Sequence, residues 1–370
     1  MKKRSLIAIA LASTFGGMAC AQSAPTQSGV TLYGILDMPV EHLTNVGAGH
    51  DGLTRIPGLT GMVPSRIGIR GSEEISDNLR AVFTIEGGLG VDTGTTNQGG
   101  RVWGRQTFAG LAGNWGQVSI GRQYSMLFWS QTDADILGPA MFGSGSLDSY
   151  LPNARVDNTL AYRIKYAGFD AGATYSLGRD AVNANSPSGT NCAGESAVDA
   201  QACRQWSALV KYDAANWGLA TAYDQIKGGP GAFAGLTSSA LKDRRATVDG
   251  WYRWNALKLG AGLISRKNDA NTKAPKSDLW YLGASYNVTQ QFVVNAEAFR
   301  LEYHDSSDGA TLYAILAAYN FSKRTALYAT AGRILNDGTL ALSVSNAAAG
   351  GGPAAGGAQT GTAVGIRHTF

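Results

Sequence analysis

The stretch Ser65-Arg66-Ile67-Gly68-Ile69-Arg70-Gly71 carries the most chemistry in this chain. Read as a strand, it puts Ile67 and Ile69 on one face and Arg66 and Arg70 on the other, the two arginine Cα atoms about 13 Å apart. Two guanidiniums held in line can bind or steer anions, because each stays charged at any accessible pH and offers a fixed fork of donors. Arg163 repeats the pattern, opposite Tyr162 and in step with Lys165, and Arg105 lies opposite Phe108. Arg122 breaks it. Strict alternation groups Arg122 with Val118 and Ile120, so a bulge at Gly121 is needed to turn it to the other side.

Other chemistry finds little footing. His42, His50, His304 and His368 are scattered without ligand spacing, so no metal and no cofactor is expected. There is no G-x-S-x-G elbow and no Cys-x-x-Cys pair. Gly47-Ala48-Gly49-His50-Asp51-Gly52 has the form G-x-G-x-x-G, but it lies in a polar loop with no helix after it, which fails the context a dinucleotide site requires. An enzyme whose serine, histidine and acid lie far apart in sequence is the alternative left open.

Arginines confined to one face need a wall with two environments. The last nine residues show one: Val364, Ile366, His368 and Phe370 alternate with Ala363, Gly365, Arg367 and Thr369. A final strand of this kind is expected to pair with the first and close a barrel, with Phe370 as its aromatic terminus. Trp206, Ala208, Val210 and Tyr212, and Tyr313, Ile315, Ala317, Tyr319 and Phe321, make similar rows. Such segments recur sixteen times, at 30–43, 65–75, 79–91, 102–111, 117–126, 158–166, 169–176, 203–213, 217–225, 245–254, 257–266, 278–286, 292–303, 311–321, 325–334 and 362–370. Tight turns alternate with long polar, Gly-rich loops between them, the asymmetry of an outer-membrane barrel. Aromatics such as Tyr166, Phe169, Trp217, Trp254, Tyr286 and Phe321 gather beside the short turns, where rings would sit at the lipid–water boundary.

The 49 glycines among 370 residues, and a mean hydropathy of only −0.10, fit single apolar residues at every second position better than runs from a soluble core. This predicts a wall one residue thick, lipid outside and water inside. A soluble sandwich would share the periodicity but not the clustering of rings at the short turns. The chain is thus expected to be all-β, a 16-stranded antiparallel transmembrane barrel.

Met1-Lys2-Lys3-Arg4, the apolar run 6–12 and Ala19-Cys20-Ala21 read as a secretory signal peptide over residues 1–21, leaving a barrel domain over 22–370. Cys20 is not read as a lipidation site, because Gly17-Met18-Ala19 lacks the usual leucine. Loss of Lys2, Lys3 and Arg4 takes the basic count from 31 to 28 against 27 acidic residues, a near balance that makes no case for nucleic acid. Cys192 lies in, and Cys203 beside, the turn-rich stretch 181–202, and in an oxidising compartment a local disulfide is expected; two free thiols are the alternative. The loop 131–157 carries Asp133, Asp135 and Asp148 among glycines. Folded into a barrel, it would set carboxylates across from the arginines; otherwise it is an exposed acidic loop.

The chain resembles the trimeric general porins of Gram-negative bacteria, of the beta-proteobacterial type. The resemblance rests on Val30-Thr31-Leu32-Tyr33-Gly34 with Leu36-Asp37, on 65–71 with Glu73, and on Arg105-Gln106 leading to Gly110-Leu111. It continues in Gly116-Gln117-Val118-Ser119-Ile120-Gly121-Arg122-Gln123, Ser322-Lys323-Arg324-Thr325 with Leu327-Tyr328, and Gly365-Ile366-Arg367-His368 ending in Phe370. It implies sixteen strands, a homotrimer, and a third long loop folded inward as the constriction. Arg66, Arg70, Arg122 and Arg163 match positions on the basic side of that eyelet. With Arg105 they form the expected basic lining, and Asp37, Asp133, Asp135 and Asp148 the expected acidic lining. Arg70 stands where a lysine is usual, Glu74-Ile75-Ser76-Asp77 replaces a more Gly-rich turn, and the acid motif of the loop is not clean. The implied function is passive diffusion of small hydrophilic solutes and ions through a water-filled pore in the outer membrane. A mild anion preference is expected, because inward arginines outnumber inward acids. The implied partners are outer-membrane lipid and lipopolysaccharide.

Overall fold

The computed structural model describes residues 28–180, 191–230, 232 and 235–370, so the expected signal peptide lies outside the described residues. Sixteen long strands form the wall: β1 (Gly29–Val46), β2 (Arg66–Ser76), β3 (Leu79–Gly90), β4 (Gln106–Gly113), β5 (Gly116–Tyr124), β6 (Arg155–Tyr166), β7 (Phe169–Asp180) and β8 (Gln205–Asp213), then β9 (Trp217–Lys227), β10 (Lys242–Trp254), β11 (Leu257–Asn268), β12 (Lys276–Asn287), β13 (Phe292–Tyr303), β14 (Gly309–Asn320), β15 (Thr325–Asp337) and β16 (Ala358–Thr369). Three shorter ladder segments, Asp51–Arg55, Thr95–Thr96 and Asn191–Cys192, sit in the long loops.

Each strand pairs antiparallel with the next, and β1 closes the cylinder. The first half of β1 pairs with β2 from Gly29↔Ser72 to Ile35↔Arg66, and the second half pairs with β16 from Ile35↔Thr369 to Leu43↔Gly361. Phe370 exchanges both backbone hydrogen bonds with Gly34, at 3.0 and 3.1 Å. Its ring lies over Gly34 so closely that a Cβ there would fall 2.3 Å from Phe370 Cζ. The seam therefore needs glycine at position 34.

The wall is inside-out relative to a soluble protein. Outward Val30 is 70% exposed and Val248 and Leu282 are 63% exposed, while inward Asp37 and Arg245 are 1% exposed. Apolar side chains left this bare make sense only against hydrocarbon. At the short-turn end the rings pack on one another: Phe169 on Tyr212 at 4.8 Å, Tyr212 on Trp217 at 5.5 Å, and Tyr319 on Phe321 at 5.2 Å between centroids.

The inner face departs from the expected plain water-lined wall. Over β11–β15 it is largely apolar, with Ile264, Leu279, Phe299, Leu312, Leu316 and Ile334 buried, and Ile226 of β9 belongs to the same cluster. These residues pack against Leu137, Met141, Phe142 and Tyr150 of the β5–β6 loop and against Val344 and Ala347 of the β15–β16 loop. Half of the cylinder thus holds a hydrophobic core of its own, formed between strand and loop.

The disulfide joins Cys192 to Cys203, with 5.3 Å between Cα atoms. Strand β4 begins at Gln106 rather than 102, because Val102 and Trp103 form an exposed turn outside the ladder.

Candidate functional site: the lumen and its two walls

One wall is basic. Glu86 on β3 is its hub, accepting from Arg105 Nε at 2.7 Å and from Tyr33 Oη at 3.0 Å, with Arg66 Nε 3.5 Å away. Arg105 Nη2 also donates to Tyr124 Oη at 2.8 Å, and Arg155 Nη2 donates to the same oxygen at 3.0 Å. The Arg155 guanidinium lies 4.7 Å from the centre of the Tyr124 ring, and that of Arg70 lies 5.2 Å from the Tyr33 ring. Arg105 and Arg66 thus meet the single carboxylate directly, while Arg155 and Arg70 join the cluster through Tyr124 and Tyr33. Tyrosine oxygens and ring faces satisfy the excess cations without cancelling their charge, so this patch of wall carries a net charge of about +3.

Arg66 and Arg70 share the inward face of β2 with Gly68 and Ser72, as the alternation requires. Arg105 also reaches the basic cluster, but the reason drawn from Phe108 is wrong. The β4 ladder starts at Gln106, and Phe108 shares the inward face of Gln106 while Thr107 and Leu111 face out. Arg105 therefore precedes the alternation rather than obeying it. Arg122 has the expected bulge beside it, since Gly121 adopts φ +126 and the β5–β6 register shifts between Gly121 and Gln123. Its guanidinium turns to Asp157 and, through Nε, to the Gly104 carbonyl at 2.7 Å, away from Glu86. Arg101 reaches the same Asp157 at 3.2 Å. Arg163 sits lower, clasping Asp170 through Nε at 2.8 Å and Nη2 at 2.6 Å beneath the Trp129 ring, 4.2 Å away.

The β5–β6 loop lies against the inward face of the opposite wall. It opens with helix α1 (Met126–Gln131), whose first backbone N–H donates to Ser207 Oγ at 2.8 Å. Farther along, Ile136 and Leu137 donate backbone N–H groups to Glu297 of β13 at 3.2 and 2.7 Å. Tyr150 Oη donates to Asp224 of β9 at 3.0 Å. Glycine makes the approach possible: a Cβ at Gly260 of β11 would fall 2.0 Å from the Ala134 carbonyl oxygen, and one at Gly361 of β16 2.7 Å from the Phe142 ring.

This geometry corrects the expected acidic lining. Asp148 receives Arg245 Nε at 2.8 Å and Nη2 at 3.2 Å, with Arg266 3.9 Å away. Burial alone would raise its pKa, yet the two guanidiniums hold its carboxyl below the ordinary carboxylate range. Asp135 is buried, accepting from Ser144 Oγ at 2.7 Å and Gly138 N at 2.6 Å, and burial raises its pKa. Asp133 pairs with Lys211 and keeps 31% of its side chain exposed. Asp37 is covered, accepting from the backbone of Met62 and Val63 at 2.9 and 3.0 Å and from Tyr328 Oη at 2.6 Å. Asp37, Asp135 and Asp148 are thus fastenings between loop and wall and present no open carboxylate to the lumen. The ion pairs of Asp148 form with Arg245 and Arg266 of the far wall, which the loop covers, rather than with Arg66 and Arg70.

Sequence reading missed Arg155, Arg245, Arg266 and Glu86. Arg245 could have been found, since it alternates with outward Ala246 and Val248. Also missed was the β15–β16 loop, whose Asn346 N donates to the Met141 carbonyl at 3.0 Å and whose Ala347 carbonyl accepts from Leu59 N at 2.9 Å. Between the β1–β2, β5–β6 and β15–β16 loops lies a cavity of 420 Å³, with Arg105, Gln98, Ser149 and Asn153 among its walls. It leads toward the basic cluster.

A closed barrel with an exposed apolar exterior and a loop packed within is the setting for the comparisons. The family model of the Gram-negative porins matches residues 6–339. The chain belongs to the Gram-negative porin family. It is 30% identical to outer membrane porin protein 32 of Delftia acidovorans over the full length of both chains. It is 28% identical to an outer membrane porin protein of Bordetella pertussis, covering 77% of this chain and 72% of that one. Among solved structures it is similar to an anion-selective porin from Comamonas acidovorans, with TM-score 0.75, 25% identity, and coverage of 93% of this chain and 100% of the other. Membership places this porin in the bacterial outer membrane.

Proposed function

We propose that this porin is a passive, water-filled diffusion channel with a mild preference for small anions. The observation that carries the reading is the cluster of Arg66, Arg70, Arg105 and Arg155 on a stretch of wall whose one carboxylate is Glu86, beside the cavity between the loops. Fixed cations at a narrow passage raise the local concentration of anions and repel cations, without needing an energy source or cofactor. In this reading Arg66, Arg70, Arg105 and Arg155 line the selective side, and the β5–β6 loop narrows the bore from the other. Asp133 is the one loop acid with enough exposure to face passing solute.

Three copies associate, as the resemblance implies, with membrane lipid and lipopolysaccharide around them, and residues 1–21 are removed on export. Liposome swelling tests the channel reading. Vesicles containing the protein should admit a small carboxylate faster than a neutral solute of the same size, and both far faster than protein-free vesicles. Equal rates with and without protein would end the proposal.

A further inference from the structure

On the outer surface, away from the lumen, five cations crowd the long-loop ends of four adjacent strands. Lys227 of β9, Lys242 and Arg244 of β10, Lys267 of β11 and Lys276 of β12 all fall on the outward face of the alternation. The register sets them directly opposite one another: Lys227↔Lys242 in one row, Arg244↔Lys267↔Lys276 in the next. Like charges directly opposite on one sheet face repel. The acids nearby leave the lysines without a counter-charge. Asp269 holds Arg244 at 3.0 and 3.2 Å, and Asp278 holds His304 at 2.8 Å. Among the described residues, Lys267 and Lys276 form no ion pair.

What lies beneath defines the level. Two rows down on the same outward face come Thr221, Val248, Leu263 and Trp280, with Val248 63% and Trp280 50% exposed. Four residues along tilted strands put the cations about 10 Å above that apolar band, at headgroup depth. The long loops mark this end as the external one, so the facing lipid is that of the outer leaflet.

The geometry points to a binding site for the phosphorylated sugar headgroup of an outer-leaflet glycolipid, held by Lys242, Lys267 and Lys276. A phosphomonoester between Lys267 and Lys276 would turn their repulsion into attraction, while the acyl chains lie down the apolar face below. The inference specifies the lipopolysaccharide partnership proposed above. It is independent of conduction, because none of these residues faces the lumen.

The test uses the purified full-length porin in detergent and measures retention of diphosphorylated lipid A, of the same lipid with its phosphates removed, and of inorganic phosphate. Wild type should retain the diphosphorylated lipid at least about tenfold better than the dephosphorylated one, with no displacement by millimolar inorganic phosphate. The triple variant Lys242→Gln/Lys267→Gln/Lys276→Gln should lose that advantage while keeping wild-type single-channel conductance, which reports its folding. Equal retention of the diphosphorylated lipid by wild type and triple variant would overturn the site and leave the partnership standing. No preference for the phosphorylated lipid in wild type would overturn both. Displacement by inorganic phosphate would overturn the lipid as occupant. The lipid comparison on wild type stands even if the variant does not fold.

Discussion

Removing Arg245 should free the β5–β6 loop. Arg245 is 1% exposed and makes two hydrogen bonds to Asp148, at 2.8 and 3.2 Å, and one to Asp243 at 3.0 Å. Its guanidinium also lies 4.5 Å from the centre of the Tyr150 ring. Taking one partner from a buried ion pair costs about 3–5 kcal/mol, because the remaining charge is left without compensation. Here Arg266 softens the loss, standing 3.9 Å from Asp148 and 2.8 Å from Asp243. Arg245→Ala should therefore weaken the loop's hold by about 2–3 kcal/mol. The strands have their own ladder, so the barrel should persist. The expected readout in a planar bilayer is a larger mean conductance with frequent open-channel flicker. Asp148→Ala should do the same, and the double variant should be little worse than either single one, since both delete one interaction. Wild-type conductance and noise in Arg245→Ala, from a correctly folded barrel, would refute the idea that this ion pair anchors the loop.

Other consequences follow from the same contacts. Gly260→Val forces a side chain into the Ala134 carbonyl, where a Cβ already falls at 2.0 Å, so it should cost about 1–3 kcal/mol and produce flicker without loss of strand signal in circular dichroism. Silent channels in that variant would contradict the close approach. Cys192→Ser opens a small ring in an outer loop and should lower thermal stability by about 2–3 kcal/mol with unaltered conductance; a changed conductance would place the bridge nearer the bore than described. The depressed pKa of Asp148 means that its ion pairs are complete above the ordinary carboxylate value near 4 and are lost as pH falls through the lowered one. In an Asp135→Asn/Glu297→Gln background, which removes the other two buried carboxyls at the contact of the β5–β6 loop with β13, flicker should stay flat from about pH 8 to 5 and rise only below about 4. A rise centred at neutral pH would contradict that assignment.

Much of the wall was legible because a period of two leaves little freedom: once Ile67 and Ile69 face lipid, Arg66 and Arg70 must face inward. Legibility failed where the period breaks. Gly121 at φ +126 and Asn158 at φ 49 interrupt β5 and β6, and the assignments of Arg122 and Arg155 depend on those two residues. The loop acids failed for another reason. Whether Asp148 meets solute or Arg245 is decided by a contact 97 residues away, to which no local pattern points. The apolar inner face of β11–β15 was hidden too, since a loop-covered inner wall reads locally like any buried strand. The abundant glycine was seen only as composition, although Gly260 and Gly361 mark where the loop touches the wall.

The central claim is that arginine, gathered around Glu86 and not balanced by open carboxylates, sets the charge preference of the bore. The zero-current potential across a planar bilayer under a potassium chloride gradient measures this directly. Wild type should show a potential of the sign for chloride passing faster than potassium, and Arg66→Ala/Arg70→Ala should move it toward, or past, zero. A wild-type channel that favours potassium, or a double variant whose potential does not move, would contradict the account.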